Sequence, residues 1–282
     1  MWITYPVPAE TTSVFVVATD RVPAELSSLV PWRMGASPHR LAAKAALGTP
    51  RLALEAYPAR RSPWRHRIGL ADDDLGERVR RARHHIVVSS RAPVTAQPGA
   101  AQAARAVARA AAEAYGGVTV DPLVGSAVYH CPGCPGERRE FRLGDDWLGW
   151  TAEPGATEPG AGAPVLTSRG LCRFGLPELT LDGMACAHTL CAAEVLRLAA
   201  ERLLAGHLAW LAAHPGCRSR TVAGHLRIGE VGVAVLSAGS LRDGRPIRAR
   251  LTPEAARRAC LKVGDHGADT GDDRPGLGRL AA

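Results

Sequence analysis

The stretch Thr167-Ser-Arg-Gly-Leu-Cys-Arg-Phe-Gly-Leu-Pro-Glu-Leu179 sets two arginines and a glutamate among glycines and apolar residues. On a strand, side chains alternate between faces, so Thr167, Arg169, Leu171 and Arg173 project one way, and Ser168, Cys172 and Phe174 the other. Two guanidinium groups on one face, beside glycine backbone amides, suit a carboxylate or a phosphate, because the planar fork matches a pair of anion oxygens. Gly175 permits a bulge or a tight bend, and Pro177 suits an edge or a strand start. A reversal at Gly175 predicts that Glu178 meets Arg173 as an ion pair. With His188 close by, Arg169, Arg173, Glu178 and His188 form the candidate ligand-binding set. The same residues also fit a structural role: a strand, a bulge and a turn that pin one sheet to another, held by an Arg–Glu pair.

A second constellation is Cys131-Pro-Gly-Cys134, whose spacing lets two thiolates grip one zinc ion. A structural zinc needs four ligands, and the nearest others are His130, Cys186, His188 and Cys191, which form no second C-x-x-C. Zinc at Cys131 and Cys134 therefore ranks behind ordinary loop or buried cysteines, and a redox dithiol ranks behind zinc. Asp72, Asp73 and Asp74 could hold Mg²⁺, but they also sit where a helix start favours negative charge, which explains them without a metal. There is no G-x-S-x-G elbow, no G-x-x-x-x-G-K-[ST] loop, no H-E-x-x-H and no deaminase pattern. His84, His85 and His207 read as packed or hydrogen-bonded histidines rather than ligands.

The elements that must position these groups are legible in outline. Val14 to Ala18 is a β-branched and aromatic run and reads as a strand. Arg40 to Leu47 favours helix, and Arg51 to Tyr57 reads as a strand that could pair with His66 to Leu70. Asp72 to Arg83 is a helix with acids at its start and arginines in its last turn. Ile86 to Ser89, Gly99 to Tyr115 and Val118 to Val120 form strand, Ala-rich helix and strand, with Gly116-Gly117 as the helix stop. Trp147 to Thr151 is a strand, and Ala152 to Pro164 is too rich in Gly and Pro to pack a core. A long helix runs from about His188 to Ala213, with Leu196, Ala200, Leu203, His207, Trp210 and Leu211 on one face. Thr221 to Leu236 gives two strands broken near Gly229 to Gly232, Ile247 to Leu251 another, and Pro253 to Leu261 a short helix.

These elements predict an α+β fold of the ferredoxin-like (α/β plait) type: a mainly antiparallel sheet with helices on one face. The expected organisation is a plait-like domain over residues 1–150, a linker or loop over 151–164, and a second α+β half over 165–263 containing the helix 188–213. A disordered tail is expected over 264–282, and the two halves are compatible with being related.

The Thr167–Leu179 stretch resembles the Thr-x-Gly-Leu-x-Arg-Phe-Gly-x-Pro-Glu-Leu signature of a group of uncharacterised bacterial proteins that share a domain of unknown function. In that group a strand-helix-strand upstream ends in a Gly-Gly-Val-x-x-Asp-like pattern, matched here by Gly116 to Asp121. The likeness spans about residues 80–260 and implies membership, with no activity to carry over. Cys131-Pro-Gly-Cys134 departs from the group's pattern.

Composition narrows the partner classes. The formal charge is +8, yet only Lys44 and Lys262 of the 35 basic residues are lysines. That skew, with the high alanine content, follows from a GC-rich coding bias that raises arginine everywhere, so nucleic acid is disfavoured as the partner. No stretch reads as a membrane span, because Val195 to Ala213 carries Arg197, Glu201, Arg202 and His207. The N-terminal residues show no basic region followed by an apolar run, so a cytoplasmic location is expected. Seven cysteines over this length do not form a disulfide framework. Two functions are then compatible with the chain. One is a non-catalytic module that binds a small anionic ligand or a protein partner. The other is an enzyme of specialised metabolism with its site around Arg169, Arg173, Glu178 and His188.

Overall fold

The computed structural model of the chain describes residues 1–21, 26, 34–68, 74–128, 136–144, 146–153, 165–184, 189–238 and 246–259. Strand β1 (Trp2–Pro6) precedes β2 (Glu10–Thr19), whose first half alternates exposed and buried residues and whose second half, from Phe15 on, is buried throughout. A strand hidden on both sides must lie inside a sheet that is covered on both faces. Strand β2 is the central strand of a five-stranded antiparallel sheet, in the order β3 (Ala53–Pro58), β4 (His84–Pro93), β2, β5 (Val118–Asp121), β6 (Ser126–Val128).

Helix α1 (Arg40–Ala46) and helix α2 (Asp74–Arg81) come before β4, and helix α3 (Gly99–Tyr115) joins β4 to β5. Strands β4 and β5 both run antiparallel to β2, which lies between them, so the strand-helix-strand unit is a split one. Helix α3 packs closely on β2 and β4 because alanines dominate its buried side. Its first turn is satisfied by Gln97, whose Oε1 accepts the Ala101 N–H at 3.2 Å. Its end is set by Gly116 at φ 63, and the Gly117 N–H bonds back to the Ala112 carbonyl at 2.8 Å. A Cβ on Gly117 would lie 2.7 Å from Val17 Cγ1, so only glycine lets β5 enter beside β2 here.

The expectation that helices lie on one face needs correction. Val79 on α2, with Ala82, packs on Ala18, Val118, Val120 and Ala127, while Phe15 and Val17 join the alanines of α3 in the main core. Successive residues of β2 thus meet different helices, which is why its second half is apolar without alternation. The pairing expected between residues 51–57 and 66–70 is not made by residues 66–68, the described part of that second segment. Residues 63–67 are turns, and β3 pairs with β4 instead.

The second sheet has six strands, in the order β11 (His225–Ile228), β12 (Gly232–Ala238), β13 (Ile247–Leu251), β9 (Leu179–Asp182), β8 (Val165–Arg169), β7 (Gly149–Glu153). Only the β9–β13 pair is parallel. Helix α4 (Thr189–Ala213) covers one face, burying Leu196, Ala200, Leu203, His207 and Leu211 as the sequence suggests. The β13 pattern, with Arg248 and Arg250 exposed between buried Ile247, Ala249 and Leu251, marks the other face as open. Strand β1 pairs with β10 (Ser219–Ala223) as a separate ribbon. A short helix over 253–259 adds Ala255, Ala256 and Ala259 to the core. The main cluster contains residues of both sheets, including Val17, Ile86, Leu166 and Leu179, together with Trp147 just before β7.

The chain is therefore mixed α+β with mostly antiparallel sheets. Among the described residues no helix is long and apolar enough to cross a membrane. The Gly/Pro segment 154–164 and the tail beyond residue 259 lie outside the described residues.

Candidate functional site

The Thr167–Leu179 motif does not run on as an extended strand. Strand β8 stops at Arg169, Gly170 adopts φ 124, and Leu171–Phe174 form one turn of 3-10 helix ending at Gly175 with φ 80. Both glycines sit where a side chain is strained. A Cβ on Gly175 would also lie 2.4 Å from Val94 Cγ2. The turn has a consequence for the arginines. Arg169 and Arg173 no longer share a strand face: Arg169 is half-buried with its Nη2 directed at the Pro122 carbonyl at 3.4 Å, and Arg173 swings inward.

Arg173 is fully buried and pairs with Asp121, not with Glu178. Its Nη2 donates to both carboxylate oxygens of Asp121, at 2.8 and 2.7 Å. Asp121, also fully buried, ends β5, and its Oδ1 accepts the Leu123 and Val124 N–H groups at 3.0 and 3.3 Å. Those backbone donors fix the carboxylate so that it faces the arginine. The two stretches on which the family resemblance rests, Gly116–Asp121 and Gly170–Leu179, therefore meet in one buried ion pair.

Glu178 turns the opposite way, back over its own loop. Its Oε1 accepts the N–H groups of Gly170 and Cys172 at 2.9 and 3.1 Å, and its Oε2 accepts the Ser168 hydroxyl at 2.6 Å. Ser168 Oγ in turn accepts the Leu179 N–H at 2.8 Å. The carboxylate thus satisfies donors that the 3-10 turn leaves without backbone partners. The expected Arg173–Glu178 pair fails because the turn sends the two side chains to different sides.

A second buried pair stands beside the first, and the sequence offered little sign of it. Arg105, in the middle of α3, is 2% exposed and bonds Glu137 through Nε at 2.6 Å and Nη2 at 3.0 Å. Arg109 approaches the same carboxylate at 3.7 Å. The guanidinium of Arg105 lies 3.5 Å from the ring centre of Trp147, and that of Arg173 lies 5.3 Å from it. Phe15, Phe141 and Phe174 surround the indole at centroid distances of 5.6–6.0 Å. The Arg105–Glu137 and Arg173–Asp121 pairs are thereby enclosed in an aromatic box where cation–π contact adds to ion pairing. The box joins β5, α3, the 136–144 segment and the turn after β8. Nε and Nη1 of Arg173 have no hydrogen-bond partner there.

His188, Cys131 and Cys134 lie outside the described residues, as do His130 and Cys186. Among the described residues no group of three or more His, Cys, Asp and Glu gathers as a metal site. Cys172 reaches solvent, but partial burial of the sulfur and the Glu178 carboxylate push its thiol up to about 11. That is the reverse of what a nucleophilic thiolate requires.

One buried histidine has a defined protonation state. Arg220 Nη1 donates to Tyr5 Oη at 3.1 Å, so the tyrosine proton is directed to His207 Nδ1, also 3.1 Å away. Nδ1 is then an acceptor, and the ring is neutral. Burial, then the Arg220 charge, lower the His207 pKa to about 4, with the Phe174 backbone opposing, while burial raises that of Tyr5 to about 12 against the pull of Arg220. The sign of the linkage follows. A histidine whose folded pKa is depressed takes up its proton more readily when unfolded, so its contribution is intact above the unfolded value of 6.5 and falls away as pH drops toward about 4. The expected loss is on the order of 3 kcal/mol across that window. Urea midpoints at pH 7 and pH 4.5 should show the loss in the native sequence and a flatter response in His207→Gln. Equal slopes would contradict the assignment.

No protein-family model, curated protein or solved structure matches the chain.

Proposed function

We propose that the chain is a non-catalytic binding module that recognises an anionic partner through arginines on its surface. The observation that carries this reading is the internal use of the motif. Arg173 is fully buried on Asp121, and Glu178 is occupied by three donors of its own loop, so neither is presented to a ligand. An enzyme site around Arg169, Arg173, Glu178 and His188 needs those two side chains to converge on a substrate. The raised thiol of Cys172 also weighs against covalent chemistry there. The union of Gly116–Asp121 with Gly170–Leu179 through the Asp121–Arg173 pair supports membership of the bacterial group named above. The split strand-helix-strand unit supports a plait-like origin for the five-stranded half.

The test is direct. Fluorescence anisotropy should show the protein binding a labelled poly-glutamate peptide and not a poly-lysine peptide, with affinity that weakens as salt is raised. No binding to the anionic peptide at low salt contradicts the reading.

A further inference from the structure

We propose that the open face of the six-stranded sheet, across β11, β12 and β13, is the docking surface for an acidic, partly apolar segment of a partner protein. The inference rests on the binding reading above and adds the surface and the chemistry of the partner.

The register of the sheet builds this surface. His225 on β11 lies opposite Val235 on β12, which lies opposite Arg250 on β13. One step along, Arg227 lies opposite Val233, and Arg248 lies opposite Ser237. All of these side chains belong to the face that α4 does not cover, because their neighbours Leu226, Ala234, Leu236, Ala249 and Leu251 are buried on the other. The result is a ridge of two valines, with Val235 37% exposed, flanked by cations on both sides. Neighbouring strands lie about 4.8 Å apart, so Arg227 on β11 and Arg250 on β13 stand diagonally across β12, more than about 10 Å apart.

The arginines are available. Arg227, Arg248 and Arg250 are exposed and form no ion pair among the described residues, as is true of Arg60 and Arg61, whereas Arg81, Arg91 and Arg258 are exposed and each hold a carboxylate. At one end the surface runs into a groove of about 600 Å³ lined by Arg227, Val233, Thr252 and Arg257. Arg257 is exposed as well, while its neighbour Arg258 is tied to Glu254.

The mixture of groups selects the partner. A nucleic-acid strand binds open sheets through aromatic platforms on which its bases stack. This face presents no Phe, Tyr or Trp on β11, β12 or β13 and gives its centre to valines. A peptide with carboxylates flanking an apolar side chain meets each feature: arginine forks for its acids and valine contact for its apolar group.

The experiment compares two charge reversals of equal size by fluorescence anisotropy at fixed salt. Arg227→Glu/Arg250→Glu changes the open face, and Arg60→Glu/Arg61→Glu changes exposed arginines in the 59–61 turn. The probes are a labelled glutamate-rich peptide carrying leucines and a single-stranded oligonucleotide of the same charge. The expected result is a loss of about tenfold or more in peptide affinity for the first variant and little change for the second, with the peptide bound more tightly than the oligonucleotide. Equal losses in the two variants would overturn the surface assignment and leave the binding reading standing. A more tightly bound oligonucleotide, lost in the first variant, would overturn the partner class. Failure of the native protein to bind either probe would overturn both the surface and the reading beneath it.

Discussion

Asp121→Leu should lower the stability of this protein by about 3–5 kcal/mol, because it leaves the Arg173 charge buried with no counter-ion. Arg173 is fully buried, and Nη2, its one bonded nitrogen, makes both of its contacts to Asp121. The substitution also removes the acceptor for the Leu123 and Val124 N–H groups, which frees the turn between β5 and β6. Most of the loss comes from the stranded charge, so a second substitution should reverse much of it. Arg173→Met added to Asp121→Leu replaces the pair by apolar groups beside Phe15 and Trp147, and such exchanges are often close to neutral. In a chain of this size the single variant should melt lower by on the order of 10 °C, with the double variant regaining most of the difference. Equal melting temperatures for the native protein and Asp121→Leu would mean that the pair carries no structural weight.

Glu137→Ala should also destabilise the protein, by up to about 3–5 kcal/mol, because it takes from buried Arg105 the carboxylate that holds its Nε and Nη2 on the other side of Trp147. Arg105 is 2% exposed and Arg109 13% exposed, and both reach that carboxylate. Glu137 also anchors its neighbour Arg138, whose carbonyl accepts Gln102 Nε2 at 3.0 Å and faces His39 Nε2 at 2.7 Å. Removing the carboxylate should therefore loosen the 136–144 segment from α3. Glu137→Gln, which keeps an acceptor, should lose less, and urea unfolding of the two variants separates these outcomes. An unchanged midpoint for Glu137→Ala would contradict the buried assignment of Arg105.

Much of the scaffold can be read from local signals. The helix 99–115 follows from alanine content and its Gly116-Gly117 stop, and the breaks at Gly229 to Gly232 separate β11 from β12 as expected. The site was harder to read for a physical reason. Arg173 and Asp121 lie 52 positions apart, and Arg105 and Glu137 lie 32 apart. Sequence spacing offered Arg173 a nearer acid in Glu178, and only the 3-10 turn at Leu171–Phe174 decides against it. Arg105 stands at i, i+4 spacing from Arg109 and Glu113, a pattern common on solvated helix faces, whereas the alanines around it are a sign of burial. The second covered face of the five-stranded sheet was visible in the unbroken apolar run of Val14 to Ala18, because alternation is lost when both sides are packed.

The central claim is that the motif is an internal strut and that recognition happens elsewhere on the surface. The most direct measurement is the affinity of the folded Asp121→Leu/Arg173→Met variant for the labelled glutamate-rich peptide, read by anisotropy beside the native protein. The account predicts affinities within about twofold, because the arginines of the binding face stay untouched when a distant buried pair is exchanged. A variant that melts like the native protein yet no longer binds the peptide would contradict it, and would return Asp121 and Arg173 to the binding site.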